Sequence, residues 1–202
     1  MLKNRGTLFL LAGVFLMSAC AHYTLVEPVK KDIGGSYSVE PQIAWNRSVQ
    51  GKIEIWTIDG PTLEAVHFFN GISDGQNLFP FHGNSDRKAK LPKFNKNMTA
   101  NEAQEFVVDS MMAPYGRSLV GPNMIGTGVQ AYNLRPFKFG SHPGFRFELS
   151  YLSEEGLEYD GFVVGTIKAD QLFLVCYAGA REYYYPKYKE TAENIIASIH
   201  MP

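Results

Sequence analysis

Three sets of residues in this chain have types that could do chemistry. Gly126-Thr127-Gly128-Val129-Gln130-Ala131 fits G-x-G-x-x-A, a spacing that lets a backbone approach a pyrophosphate. That chemistry needs a strand before the motif and a helix N-terminus after it. Here Gly121-Pro122 precedes it and an extended run from Tyr132 to Pro136 follows, so no dinucleotide site is expected. Ser118, His142 and Asp160 are the residue types of a hydrolase triad. Gly116-Arg117-Ser118-Leu119-Val120-Gly121, however, is not the G-x-S-x-G elbow that would expose a serine nucleophile. The five histidines, His22, His67, His82, His142 and His200, stand at no metal-ligand spacing. No catalytic constellation, metal site or cofactor is implied.

The remaining candidates bind rather than react. Arg87, Lys88, Lys90, Lys93 and Lys96 crowd one stretch against Asp74 and Asp86. The stretch reads as a solvated loop. Its functional alternative is contact with anionic headgroups, lipopolysaccharide phosphates or an acidic partner, at about 1 kcal/mol per cation near an anionic surface. Tyr183, Tyr184 and Tyr185, with Tyr177 and Tyr188, form an aromatic cluster. It could serve an interface or staple a helix onto the core, and three consecutive tyrosines cannot all face inward. Cys176, inside the apolar run Leu172 to Tyr177, reads as a buried small hydrophobe. Trp45 and Trp56 read as strand core, and His67 as a hydrogen-bonded or edge residue on an aromatic strand.

These residues need elements to position them. Lys52–Ile58 and Leu63–Phe69, separated by Asp59-Gly60-Pro61, predict an antiparallel hairpin, with a shorter strand over Ile43–Asn46 before it. Residues 70 to 98 show no clean period and predict a long loop. Thr99 followed by Glu102 is a capping box, and Ala103, Phe106, Val107, Ser110 and Met111 then trace one helical face ending before Pro114 and Gly116. Val129–Phe139, the alternation of Phe145, Phe147, Leu149 and Tyr151 with a wet face of Arg146, Glu148 and Ser150, Leu157–Lys168, and Gln171–Tyr177 predict an antiparallel meander. A closing helix is expected from about Pro186 to Ile199, with Tyr188, Thr191, Ala192, Ile195 and Ile199 inward.

The chain of 202 residues is 45% hydrophobic and 19% charged, with a net charge of -1. That excludes a disordered chain and gives no basic field for nucleic acid. With two cysteines a disulfide scaffold is excluded. Lys3 and Arg5 precede an apolar run from Leu8 to Met17, the length of a signal-peptide core and about half a membrane span. Leu16-Met17-Ser18-Ala19-Cys20 follows and resembles the lipobox of bacterial lipoproteins. The resemblance implies diacylglycerol on Cys20, cleavage before it and acylation of the new amine. Ala21 after Cys20 implies sorting to the outer membrane, facing the periplasm. The organisation expected is a signal peptide over 1–19, a tether over 20–35 and one globular domain over 36–202.

The fold class expected is α+β: an antiparallel sheet, built from a hairpin and a C-terminal meander, covered by two helices. The run Leu172–Tyr177, Arg181 and the final helix with Ile195-Ile196 and Ser198 resemble the close of Mog1/PsbP-like domains. That family has no invariant catalytic signature. The expectation is a non-enzymatic envelope lipoprotein, membrane-bound through Cys20, whose domain binds an envelope protein or component. A ligand or lipid carrier with a pocket between sheet and helix, and an envelope hydrolase, are the alternatives.

Overall fold

The computed structural model describes residues 23–80, 90–113, 124, 126–153 and 156–202. The strands are β1 (Thr24–Val26), β2 (Lys31–Ile33), β3 (Tyr37–Val39), β4 (Trp45–Gln50), β5 (Ile53–Thr57), β6 (Glu64–Ser73), β7 (Gly126–Phe139), β8 (His142–Ser153), β9 (Glu158–Lys168) and β10 (Gln171–Ala180). The helices are α1 (Ala100–Met112) and α2 (Tyr184–Ala197). Eight strands make one antiparallel sheet in the order β1-β4-β5-β6-β10-β9-β8-β7, and β2 with β3 makes a separate ribbon.

The expected hairpin is β5–β6, with Ile53 opposite Phe69 and Trp56 opposite Val66. The meander β8–β9–β10 is joined to it because β10 lies between β9 and β6. Two residues, Ala169 and Asp170, turn β9 into β10 with φ of 48° and 61°. That mirror-image turn matches the twist of the strands it joins. The capping box of α1 is formed: the Glu102 N–H donates to Thr99 Oγ1 (3.3 Å) and the Thr99 N–H to Glu102 Oε2 (2.7 Å). The five residues of its expected face are the five it buries.

The sheet has a core on each face. On one side Ile53, Ile55, Phe69, Phe147 and Leu174 pack against α1 and against Leu78, Phe79, Leu91 and Phe94 of the 74–98 segment. On the other, Trp45, Trp56, Phe68, Phe162 and Val175 pack against α2, the β2–β3 ribbon and Met201. Among the described residues the two faces of the sheet thus carry two separate buried clusters.

Four expectations change. The tether over 20–35 is folded from Thr24 onward: β1 pairs with β4, and Val26 and Ile33 are buried. Their apolar side chains, spaced among polar neighbours, find a core. The strand expected at Ile43–Asn46 begins at Trp45 and runs to Gln50. His67 is neither at an edge nor hydrogen-bonded; β6 is an interior strand and both ring nitrogens are unpartnered. The wet face of β8 is dry at Arg146, which is 5% exposed. Arg146 donates to Glu193 of α2 through two bonds (2.6 and 2.5 Å), and its guanidinium lies 4.3 Å from the centre of the Phe162 ring. A planar cation that stacks and forks can be covered by a helix where a wet glutamate could not.

Two buried groups set opposite pH dependences. Burial pushes the His67 imidazole down to about 3. The unfolded chain, with histidine near 6.5, binds a proton between pH 3 and 6.5 that the folded chain does not, so stability rises with pH there. Burial pushes Glu64 up to about 7, against donors from the Ile58 and Asp59 N–H and the Thr57 hydroxyl. The folded chain keeps a proton that unfolded glutamate loses above about 4.5, so stability falls from pH 4.5 to 7. Between 4.5 and 6.5 the two oppose. His67→Leu should therefore expose a stability that falls with pH, and Glu64→Gln one that rises. Each slope is at most about 1.4 kcal/mol per pH unit, read from urea unfolding across a pH series. Arg146→Ala, which strips the cover from Phe162 and leaves Glu193 unpaired, should cost about 3 kcal/mol in the same assay.

Candidate interaction surface

Helix α2 lies over β10, β9 and β6 and leaves the outer part of its own sheet face uncovered. Alternate residues of β7, β8 and β9 there line up in rows set by the register: Tyr132 beside Glu148, Gln130 beside Ser150 and Asp160, Thr127 beside Leu152 and Glu158. They form a shelf walled on one side by α2.

The shelf is polar and ordered by ion pairs. Glu148 accepts from Asn133 Nδ2 (2.7 Å) and lies 3.5 Å from the Arg135 guanidinium. Arg181, just past β10, donates from Nε to both oxygens of Asp160 (3.1 Å each) and also binds Glu158. Two tyrosines give it apolar handles. Tyr132 is 42% exposed. Tyr185, on the wall, stacks on Tyr177 with ring centres 5.7 Å apart and carries the Lys189 ammonium 5.4 Å from its centre. Burial, then the carboxylates of Asp160 and Glu148, push the Tyr185 phenol up to about 12, so it is a neutral donor at physiological pH. Rigid phenols beside pre-oriented guanidinium and carboxylate groups suit recognition of another surface.

The tyrosine cluster divides its labour. The Tyr177 hydroxyl donates to the Tyr184 and Tyr185 carbonyls, and the Tyr188 hydroxyl to Asp59 (2.7 Å), so these two fix the start of α2. Tyr183 is 59% exposed, while Tyr184 and Tyr185 are half-buried. Lys187 pairs with Asp59 at 2.8 Å beneath the rings of Tyr183, Tyr184 and Tyr188.

The lysine stretch is less free than its charge implied. Lys96 pairs with Asp170 (3.0 Å), and Lys93 lines one surface cleft with Glu102, Glu105 and Asp109 of α1. Lys90 is exposed; Arg87, Lys88 and the lipobox Cys20 lie outside the described residues. Lys96 and the tyrosines do not share a surface. Asp170 opens β10 and Tyr183 follows its end, so about 30 Å of strand separates them.

His142 and Asp160 do not meet either. Asp160 is engaged by Arg181, and His142 sits at the other end of β8 against Lys168 (3.0 Å). Cys176 is buried and its thiol is pushed up by that burial. The G-x-G-x-x-A segment is part of β7, with no helix following it. Among the described residues no group of three or more His, Cys, Asp or Glu could hold a metal. Sequence reasoning did not single out Tyr132 or Arg135, and it named Glu148, Asp160 and Arg181 without joining them in one surface. The one available signal was the alternation in β8, which put Glu148 on the outward face.

No protein-family model matches the chain, and no curated protein matches it in sequence. Solved structures do match. A crystal structure from Bacteroides thetaiotaomicron is 14% identical over 87% of this chain and 49% of its own, with a TM-score of 0.46. This chain thus spans about half of that protein. The solution structure of cyanobacterial PsbP (CyanoP) from Synechocystis is 14% identical over 95% of this chain and 99% of its own, with a TM-score of 0.48. LpqN of Mycobacterium tuberculosis, described as involved in cell envelope biogenesis, is 12% identical over 92% and 88%, with a TM-score of 0.35.

The wall of the shelf depends on Gly179. A Cβ there would lie 2.8 Å from the Tyr185 backbone nitrogen and 2.9 Å from its Cα. Gly179→Ala should displace the first turn of α2 and cost about 1–3 kcal/mol. Amide exchange at residues 187–191 should speed up by more than exchange in β8.

Proposed function

We propose that this chain is a lipid-anchored, non-enzymatic envelope module that binds an envelope protein or component through the shelf of β7, β8 and β9. The observation that carries the reading is the shelf itself: a sheet face beside α2, uncovered in the described structure, with exposed Tyr132 and Leu152 among charges already held in pairs. Exposed ion pairs of this kind contribute little to stability. Held in fixed geometry, they serve orientation and specificity at an interface instead. The lipobox-like Leu16–Cys20 supplies the address, and the Mog1/PsbP-like resemblance of the closing strand and helix is of a family without a catalytic signature.

A photo-crosslinking residue at Tyr132 in the native host should give a discrete adduct, and one at Met112 on α1 should not. Absence of an adduct at Tyr132, or equal adducts at both, counts against the shelf. Arg181→Glu should abolish the adduct while shifting stability by no more than about 1 kcal/mol. Cys20→Ala should remove the protein from the detergent-dependent membrane fraction; unchanged fractionation overturns the anchor.

A further inference from the structure

Half of the exposed large apolar side chains among the described residues lie between positions 23 and 49: Tyr23, Leu25, Val29, Ile43 and Val49. Tyr23 and Leu25 lie at and on β1, Val29 and Ile43 in the connections around it, and Val49 on β4, the strand that pairs with it. β1 is an edge strand of three residues that pairs with β4 alone. Val26 is turned into the core, and its neighbour Leu25 is 63% exposed. Val29, in the turn that follows, is 65% exposed, and Val49 near the end of β4 is 50% exposed. The other exposed apolar side chains are spread over α1, β7, β8, the β8–β9 connection and the approach to α2.

The same edge is where the chain enters the fold. Cys20 stands four residues before Thr24, and four residues span at most about 14 Å however they are arranged. With the tether folded, a lipid on Cys20 keeps β1 within that distance of the bilayer surface. From these placements we infer that the β1–β4 edge lies against the membrane, with Leu25 and Val29 entering the boundary between headgroups and acyl chains. This deepens the proposed function and rests on its lipid anchor. Charge nearby is mixed, Lys30 and Lys31 against Glu27 and Asp32, so the contact is apolar and does not depend on anionic lipid. The arrangement places the shelf, at the opposite edge of the sheet, away from the bilayer and open to a partner.

The test uses the full lipidated protein, purified from host membranes into phosphatidylethanolamine–phosphatidylglycerol vesicles with or without brominated acyl chains. Leu25→Trp, Val29→Trp and the control Leu157→Trp are compared; Trp45 and Trp56 are buried and give a constant background. Emission from Leu25→Trp and Val29→Trp should fall by about half, as expected for side chains about 5–10 Å into the boundary. Emission from Leu157→Trp should not change. Protein that floats with the vesicles but is not quenched at Leu25 overturns the docked edge and leaves the anchor standing. Protein that does not float overturns both. Equal quenching at Leu157 overturns a specific edge. A cross-link between Leu25→Cys positions of two copies, with no quenching, gives the edge to self-association and overturns it as well.

Discussion

One constraint of size governs this molecule: a sheet of eight strands is wider than any helix. Eight strands at about 4.8 Å spacing span about 34 Å, whereas a helix with its side chains is about 10–12 Å across. One helix per face leaves most of each face to be covered by something else. Below α1's side, the 74–98 segment supplies Leu78, Phe79, Leu91 and Phe94. On α2's side, the β2–β3 ribbon and the C-terminal residues cover the end of the sheet near Phe139 and Phe173. What no described element covers is the outer part of β7, β8 and β9, and there the side chains, Leu152 apart, are polar or phenolic.

The boundary between dry and wet on that face runs through β8. Arg146 is under the helix, forked to Glu193 and stacked on Phe162; Glu148, two residues on, is partly exposed. The bidentate pair offsets part of the cost of burying the cation, whose flat face also covers the Phe162 ring, while its Nε is buried without a partner. It ties α2 to the sheet at the helix's outer rim and so fixes where the shelf begins. At the helix's other end Tyr177, Tyr188, Lys187 and Asp59 do the same, and Gly179 lets the backbone come close enough.

The polar groups sunk in the core have a different character. His67 has no partner for either nitrogen, and Ser110 Oγ on α1 is likewise unpartnered. Glu64, by contrast, accepts from the Ile58 and Asp59 N–H groups and so organises the β5–β6 connection. A buried carboxylate that collects turn donors is a structural device; a buried imidazole with none is a cost the surrounding apolar contacts must outweigh.

Local chemistry alone fixed a good part of this protein. The capping box at Thr99, the five-residue face of α1, the turn at Ala169-Asp170 and the paired β5–β6 hairpin depend on residues near one another in the chain, so they are legible in it. Tertiary structure decided the rest, because it turns on distances between residues far apart in sequence. That β10 inserts between β9 and β6, that Lys96 and the tyrosines fall at opposite ends of that strand, that the expected tether folds against β4, and that Arg146 goes under α2 while Glu148 stays partly exposed all follow from which strands are neighbours and how far a helix can reach. Alternation along a strand says which side chains share a face; only the packed sheet says which part of that face is left in water.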